Sequence, residues 1–376
     1  MKAGSINDIN FGVFRDKKYA VSLKEKIKKL ADSIELDKIN IMHVCGTHEH
    51  TITYYGIRKL LPEKVDLIAG PGCPVCVVPA REIDEAIKLA LDGIKVYIFG
   101  DMFKVPGSRM SLAKARAEGG NVSVVYSFLD AIKDFKNNNV KEGVFFGVGF
   151  ETTAPSFASQ IANGNVPKDL RILPSFRITV PIVKYALKVH KHNLHGIIAP
   201  GHVSTITGAG AWSFISNDFN IPVVVAGFEP IDVLLGVYLI LKSINEGIPR
   251  TYNEYERVVR WEGNLVAKSY IKKVFTEIDG EWRGIGKIPN SAWIPNSDYE
   301  SYDARKYYNI KIEKSMDTPP GCRCADVVLG LAKPTDCKLF RKVCTPTNPI
   351  GPCMVSSEGT CSIWYKYGGH RIFDES

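Results

Sequence analysis

A chain of 376 residues with 45% apolar content can build two or three domains with real cores, which excludes a largely disordered protein. Its formal charge of +8 is scattered along amphipathic stretches and is not gathered into a tract with interleaved aromatics, so nucleic-acid binding is not expected. The N-terminus has no secretory pattern, and the most apolar segment, residues 233–241, is too short to span a bilayer. A soluble, cytoplasmic protein is therefore expected, in which the nine cysteines bind metal or do redox chemistry instead of forming a disulfide framework.

In chain order, a helical pattern over 19–30 comes first, and the first 29 residues are expected to pack on the C-terminal tail. Six short apolar runs follow, each leading into a glycine-bearing loop and then a helical pattern. Residues 39–44 run into CGTHE, 65–69 into GPGCPVC, 95–99 into GDM, 143–148 into GFETTAP, 196–199 into PGHV and 222–226 into GFEP. This alternation predicts an α/β fold of two similar parallel-sheet units with helices on both faces. A lysine- and asparagine-rich break at 133–142 separates a first unit, 30–135, from a second, 136–315. Within the first, the apolar stripe of residues 81–91 predicts a helix closed by Gly93. Residues 250–315 read as an irregular extension, and 316–376 as a small irregular or helical C-terminal iron-sulfur domain. Ligands of open α/β sheets bind at the carboxyl ends of strands, where every polar or sulfur-bearing motif named above falls.

Cysteine placement carries the chemistry. Cys45, Cys73 and Cys76 lie early, and Cys322, Cys324, Cys337, Cys344, Cys353 and Cys361 crowd into the tail. The tail spacing lacks the paired knuckles and histidines usual for structural zinc. Four thiolates from separated loops suit a [4Fe-4S] cluster, with two cysteines to spare, although zinc or plain disulfides remain open. Cys73-Pro74-Val75-Cys76 is a C-x-x-C between strand and helix, where thiolates are favoured and dithiol exchange is possible; half a zinc knuckle is the alternative. Cys45 has His48 and Glu49 nearby, which suits a thiolate activated or oriented by imidazole, a thiolate metal ligand with histidine close by, or merely a capped loop in which His48 satisfies backbone groups. Glu151 could cap a helix or face a ligand, while Glu229 reads as a cap. Asp101 and His202 are weaker strand-end candidates, and His43 reads as a core histidine. No phosphate-binding loop or dinucleotide fingerprint is present.

CGTHE at 45, GPGCPVC at 70, GFETTAP at 149 and the run GCRCAD…PTDC…CTP…GPCMVSSEGTC at 321–361 together resemble the HypD family of hydrogenase-maturation factors. The resemblance implies a scaffold, formed with the small chaperone HypC, on which iron acquires two cyanides and one carbon monoxide before insertion into [NiFe]-hydrogenase. It implies that Cys45, with His48 beside it, holds that iron and shares it with a cysteine of HypC. Cys73 and Cys76 would be a dithiol/disulfide pair, and Glu151 completes the candidate catalytic set. HypE, supplied from carbamoyl phosphate through HypF, would dock transiently as cyanide donor, and the chain alone is expected to be monomeric. The resemblance further implies a [4Fe-4S] cluster in surroundings similar to ferredoxin:thioredoxin reductase, with Cys322, Cys337, Cys344 and Cys361 as ligands and Cys324 with Cys353 as an adjacent redox pair. An internal electron route from cluster to C-x-x-C would require the tail to fold back near the first unit's carboxyl edge. The rival readings are a freestanding iron-sulfur thiol/disulfide oxidoreductase and a zinc-stabilised binding module.

Overall fold

A computed structural model describes residues 11–368 apart from residue 192; the expectations for residues 1–10 and 369–376 fall outside the described residues. In chain order the strands are β1 (Ile39–His43), β2 (Val65–Ala69), β3 (Lys95–Phe99), β4 (Val122–Val125), β5 (Gly143–Gly149), β6 (Leu170–Arg177), β7 (Gly196–Pro200), β8 (Val223–Ala226), β9 (Thr251–Asn253), β10 (Phe275–Trp282) and β11 (Gly286–Pro295). They form a five-stranded sheet, β2-β1-β7-β8-β9, and a six-stranded sheet, β10-β11-β6-β5-β3-β4. The first is parallel throughout. The second is parallel from β4 to β6 and is extended by the antiparallel pair β11 and β10. This is the α/β architecture of two helix-flanked sheets that the sequence implies.

All six expected strands form, but they pair differently from the expected grouping. The run at 95–99 does not join those at 39–44 and 65–69; as β3 it pairs with β4 and β5 in the second sheet, while β1 pairs with β2 and β7. The chain crosses between sheets through helix Ala80–Leu91, returns through Thr179–His190 and crosses again through Leu265–Val274. A strand-loop-helix-strand unit reads the same whether its second strand rejoins the first sheet or founds another, so local pattern leaves this choice open. Residues 250–315 are also more regular than expected, since they supply β9 and the β10–β11 pair.

The first sheet is covered on both sides, as a parallel sheet requires. Alternation sends Ile39, Ile41, Ile198 and Val224 to one core, and Met42, Val44, Ile197, Ala199 and Val225 to another shared with the second sheet. Each such buried aliphatic side chain contributes about 1.5–3 kcal/mol. Helix Lys17–Ser33 places Ile27 and Ala31 in the first of these cores, beside Val233, Val237 and Leu241 of helix Pro230–Glu246. It therefore packs on the first sheet's outer helix, and the expected packing on the tail is corrected. Apolar periodicity showed that it has a face to bury but not against which partner.

Candidate functional site

The carboxyl ends of β1, β2 and β7 meet those of β3, β5 and β6 across a cleft of about 270 Å³. Its walls include Cys45, Val75, Asp101, Thr152, Thr179, His202 and Glu358. Cys45 is the N-cap of helix Gly46–Tyr54 and is 7% exposed. Two glycines let other segments close on it. A Cβ on Gly72 would fall 2.4 Å from the Cys45 backbone, and one on Gly46 would fall 2.5 Å from Glu358. The disulfide loop after β2 and the C-terminal tail are thus both stacked against Cys45.

Burial and the nearby Glu358 carboxylate push the Cys45 thiol up to about 11, against the backbone amides of His48 and Thr47, which favour the thiolate. At neutral pH the group is a thiol whose proton must leave before it can ligate a metal. Cys73 and Cys76 are joined as a disulfide, both buried, with the Cys76 amide donating to Cys73 Sγ at 3.1 Å. The helix that follows, Ala80–Leu91, is anchored to the second sheet by Glu82, which accepts from Arg177 at 2.8 Å and from Ser175.

His48 is fully buried and its Nε2 donates to the Gly227 carbonyl at 2.8 Å. Burial lowers its pKa to about 3, so the ring is neutral, and its Nδ1 has no hydrogen-bond partner among the described residues. In this arrangement the imidazole locks the Cys45 helix to the loop after β8, together with Thr51, whose hydroxyl donates to the Phe228 carbonyl at 2.7 Å. Glu151 does not line the cleft. Its buried carboxylate accepts from the Thr179 amide at 2.7 Å and hydroxyl at 2.5 Å, fixing the start of helix Thr179–His190 and placing Thr179 in the wall. Burial raises its pKa to about 7. Glu229 ion-pairs with Arg15 while its own amide is capped by Asp232. His43 is buried in the core, its Nε2 2.9 Å from Glu49, while its Nδ1 has no hydrogen-bond partner among the described residues. Asp101 and His202 line the cleft, and His202 stacks on Phe228 at 3.9 Å.

Sequence reading missed Glu358. It lies in the tail, where no periodicity assigns a direction, yet it stands in the cleft beside Cys45, and burial and the Asp101 charge raise its pKa to about 7. The close approach of Gly46 to residue 358 was not legible in the local sequence.

All six tail cysteines line one cavity together with Val327, Leu339, Phe340 and Met354. The thiols of Cys322, Cys324, Cys353 and Cys361 follow one another as neighbours, each close enough to perturb the ionisation of the next. Backbone amides point at the sulfurs too: Ile350 donates to Cys344 Sγ and Cys361 to Cys353 Sγ, both at 3.4 Å. Burial and thiol neighbours raise the pKa of Cys322, Cys324 and Cys353. Among the described residues no three ligating side chains converge on a single ion; the thiols are spread around the cavity wall. Six sulfurs in an apolar enclosure with amide donors fit an iron-sulfur cluster in donor chemistry. Arg283, 4% exposed, places its positive charge near Cys324 and Cys322, where it would offset the charge of thiolate ligands.

The tail is tied to both sheets. Trp364 Nε1 donates at 2.8 Å to Glu49, the buried carboxylate that also receives Arg58 at 2.7 and 2.8 Å. His190 Nε2 donates to the Leu329 carbonyl at 2.8 Å. Asp317 of the tail accepts the Ala80 amide, at the start of the helix after Cys76, at 2.7 Å, and Arg283 of the β10–β11 turn bridges the two, donating its amide to the Val77 carbonyl at 2.9 Å and its Nε to the Asp317 carbonyl at 2.7 Å. Among the described residues no helix is long and apolar enough to cross a membrane.

Residues 18–368 match the family model described as "HypD: Hydrogenase formation hypA family". The chain is 45% identical over 346 residues to a protein named for hydrogenase expression and formation in Methanocaldococcus jannaschii, covering 91% of this chain and 95% of the relative. It is 40% identical over 350 residues to the hydrogenase maturation factor HypD of Escherichia coli (92% and 93% covered). It is likewise 40% identical over 369 residues to HypD of Rhodobacter capsulatus (95% and 98% covered). With a family match along nearly its whole length and such relatives, the chain belongs to the HypD family.

Proposed function

We propose that this protein is a [NiFe]-hydrogenase maturation factor that serves, with HypC, as the scaffold on which an iron bearing two cyanides and one carbon monoxide is assembled. The observation that carries the reading is the placement of Cys45, a buried thiol in the wall of an inter-sheet cleft with the Cys73–Cys76 loop packed against its backbone. A strong-field, diatomic-bearing iron prefers a soft thiolate, and the cleft walls restrict water. Cys45 would supply the ligand on this side and a HypC cysteine the other, leaving the open cleft to a transient cyanide donor, HypE. His48 acts here as a positioning residue for the Cys45 helix and Glu151 for Thr179.

Cys73 and Cys76 form the redox-active pair, taking up two electrons and two protons when the disulfide opens. A [4Fe-4S] cluster held by Cys322, Cys337, Cys344 and Cys361, with Cys324 and Cys353 as the neighbouring thiol pair, would supply one-electron reducing equivalents. Cys324 and Cys353 adjoin each other, as that pairing needs, and the 2.7 Å bond from the Ala80 amide to the Asp317 carboxylate supports placing the tail close to the dithiol. A cytoplasmic location and a monomer in the absence of partners complete the reading.

The test is Cys45→Ala in protein purified anaerobically from cells that make the cargo. Infrared bands of iron-bound cyanide and carbon monoxide should vanish while iron and acid-labile sulfide of the tail persist. The formed Cys73–Cys76 disulfide favours a second reading, a thiol/disulfide oxidoreductase. That reading gains if Cys45→Ala retains the infrared bands and loses disulfide reduction instead.

A further inference from the structure

We propose that the hydroxyls of Thr152 and Thr153 are the cleft's hydrogen-bond donors to the cyanide nitrogens of the iron substrate, while the apolar wall formed by Val44, Val75, Val148 and Val203 receives carbon monoxide. The inference rests on the iron reading above and adds to it which residues sort the ligands. A cyanide bound through carbon keeps a lone pair and much negative charge on nitrogen. Once stripped of water, that nitrogen needs a donor. Carbon monoxide bound the same way has a feeble acceptor at its far end and is content against hydrocarbon. A cleft lined by both hydroxyl donors and methyl groups can therefore distinguish them.

Both threonines line the cleft on the turn after β5, Thr152 exposed and Thr153 half-buried. Thr153 occupies the N-cap of helix Ala154–Ala162, where a threonine hydroxyl ordinarily accepts an amide of the first turn, yet its side chain makes no capping bond. Instead it lies over Gly149, where a Cβ would come within 2.3 Å of Thr153 Oγ1; only glycine leaves room for that placement. The other polar groups of the wall are less suited. The Thr179 hydroxyl is given to Glu151. Stacking on Phe228 fixes the plane of the His202 ring, so its N–H cannot turn to follow a ligand as a hydroxyl rotor does. Asp101 and Glu358 repel the nitrogen when ionised, and Glu358 donates only in its protonated form. Thr152 and Thr153 remain as neutral donors with freely turning hydroxyls.

The experiment compares infrared spectra of the cargo-loaded protein with those of Thr152→Val, Thr153→Val, the double variant and the matching Thr→Ser variants, all purified with the iron in place. Donation to a cyanide nitrogen raises its stretching frequency, so the valine variants should show one or both cyanide bands shifted down with the carbon monoxide band nearly unmoved, and serine should restore them. Cyanide bands of the double valine variant that coincide with those of the unaltered protein would overturn the proposal. So would equal loss of iron from the valine and serine variants, which indicates a packing role. If the unaltered protein shows no such bands, it is the iron reading itself that fails.

Discussion

The cleft around Cys45 and the cavity of the tail both gather sulfur, but they are built by different means. Apart from Glu358 of the tail, the cleft is made of strand ends and helix starts from two sheets, each paired by backbone hydrogen bonds and buried on apolar faces, so most of its wall is set by the sheets themselves. The tail has only short helices, Cys324–Val328 and Thr360–Tyr367 among them, and its cavity is enclosed by loops whose common feature is cysteine. A segment of that kind depends on the group its thiols hold. The tail meets the cleft at Cys45, against which Glu358 is stacked, and is tied to the first unit at Glu49, where Trp364 joins Arg58 and His43.

The largest expected effect separates the two directly. On the proposed cluster reading, a chelator under reducing conditions should make residues beyond about 316 protease-sensitive while the two-sheet body keeps its cooperative thermal transition. Simultaneous loss of both would mean that the body, too, depends on the group.

Next in size is the joint. Arg58→Met leaves the buried Glu49 charge without its principal partner and should cost about 3–5 kcal/mol in denaturant unfolding. Burial alone would raise the Glu49 pKa, but Arg58 and His43 outweigh it and hold the carboxyl well below its ordinary value of 4.5. Its stabilisation is therefore present above that value and lost as pH falls below it. In Arg58→Met that acid-limb dependence should shrink.

Glu151 has the opposite sign. Because its folded pKa is raised to about 7, its contribution is full below 4.5 and declines as pH rises through about 7. Glu151→Gln should flatten the stability profile across that window, and an unchanged slope would remove the buried-acid account. The smallest effect is on reactivity. Alkylation of Cys45 should climb with pH towards about 11, and Glu358→Gln should move the curve to lower pH by removing a neighbouring negative charge.

These contrasts also explain what sequence could show. Strand runs such as 143–148 and helix 81–91 were legible because alternation and period report burial directly. Strand β6 was not, since Pro174 and Arg177 break its apolar run, although Pro174 pairs with Gly147 inside the sheet. Sheet membership escaped because it is decided by which helix faces find cover. Cys45, Cys73, Cys76 and the tail cysteines could be marked by residue type alone. The roles of His48 and Glu151 could not, because their partners, Gly227 and Thr179, are 179 and 28 residues away. Glu358 and Trp364 reach the first unit from a tail without periodicity, so only the fold reveals them.

The most direct test of the account is Mössbauer spectroscopy of the iron-57-labelled protein, isolated anaerobically with its partners and compared with Cys45→Ala. The account predicts two iron populations, a low-spin ferrous site with strong-field ligands and a [4Fe-4S] cluster, of which Cys45→Ala removes only the first. Loss of both populations together, or survival of the low-spin site without Cys45, would contradict it.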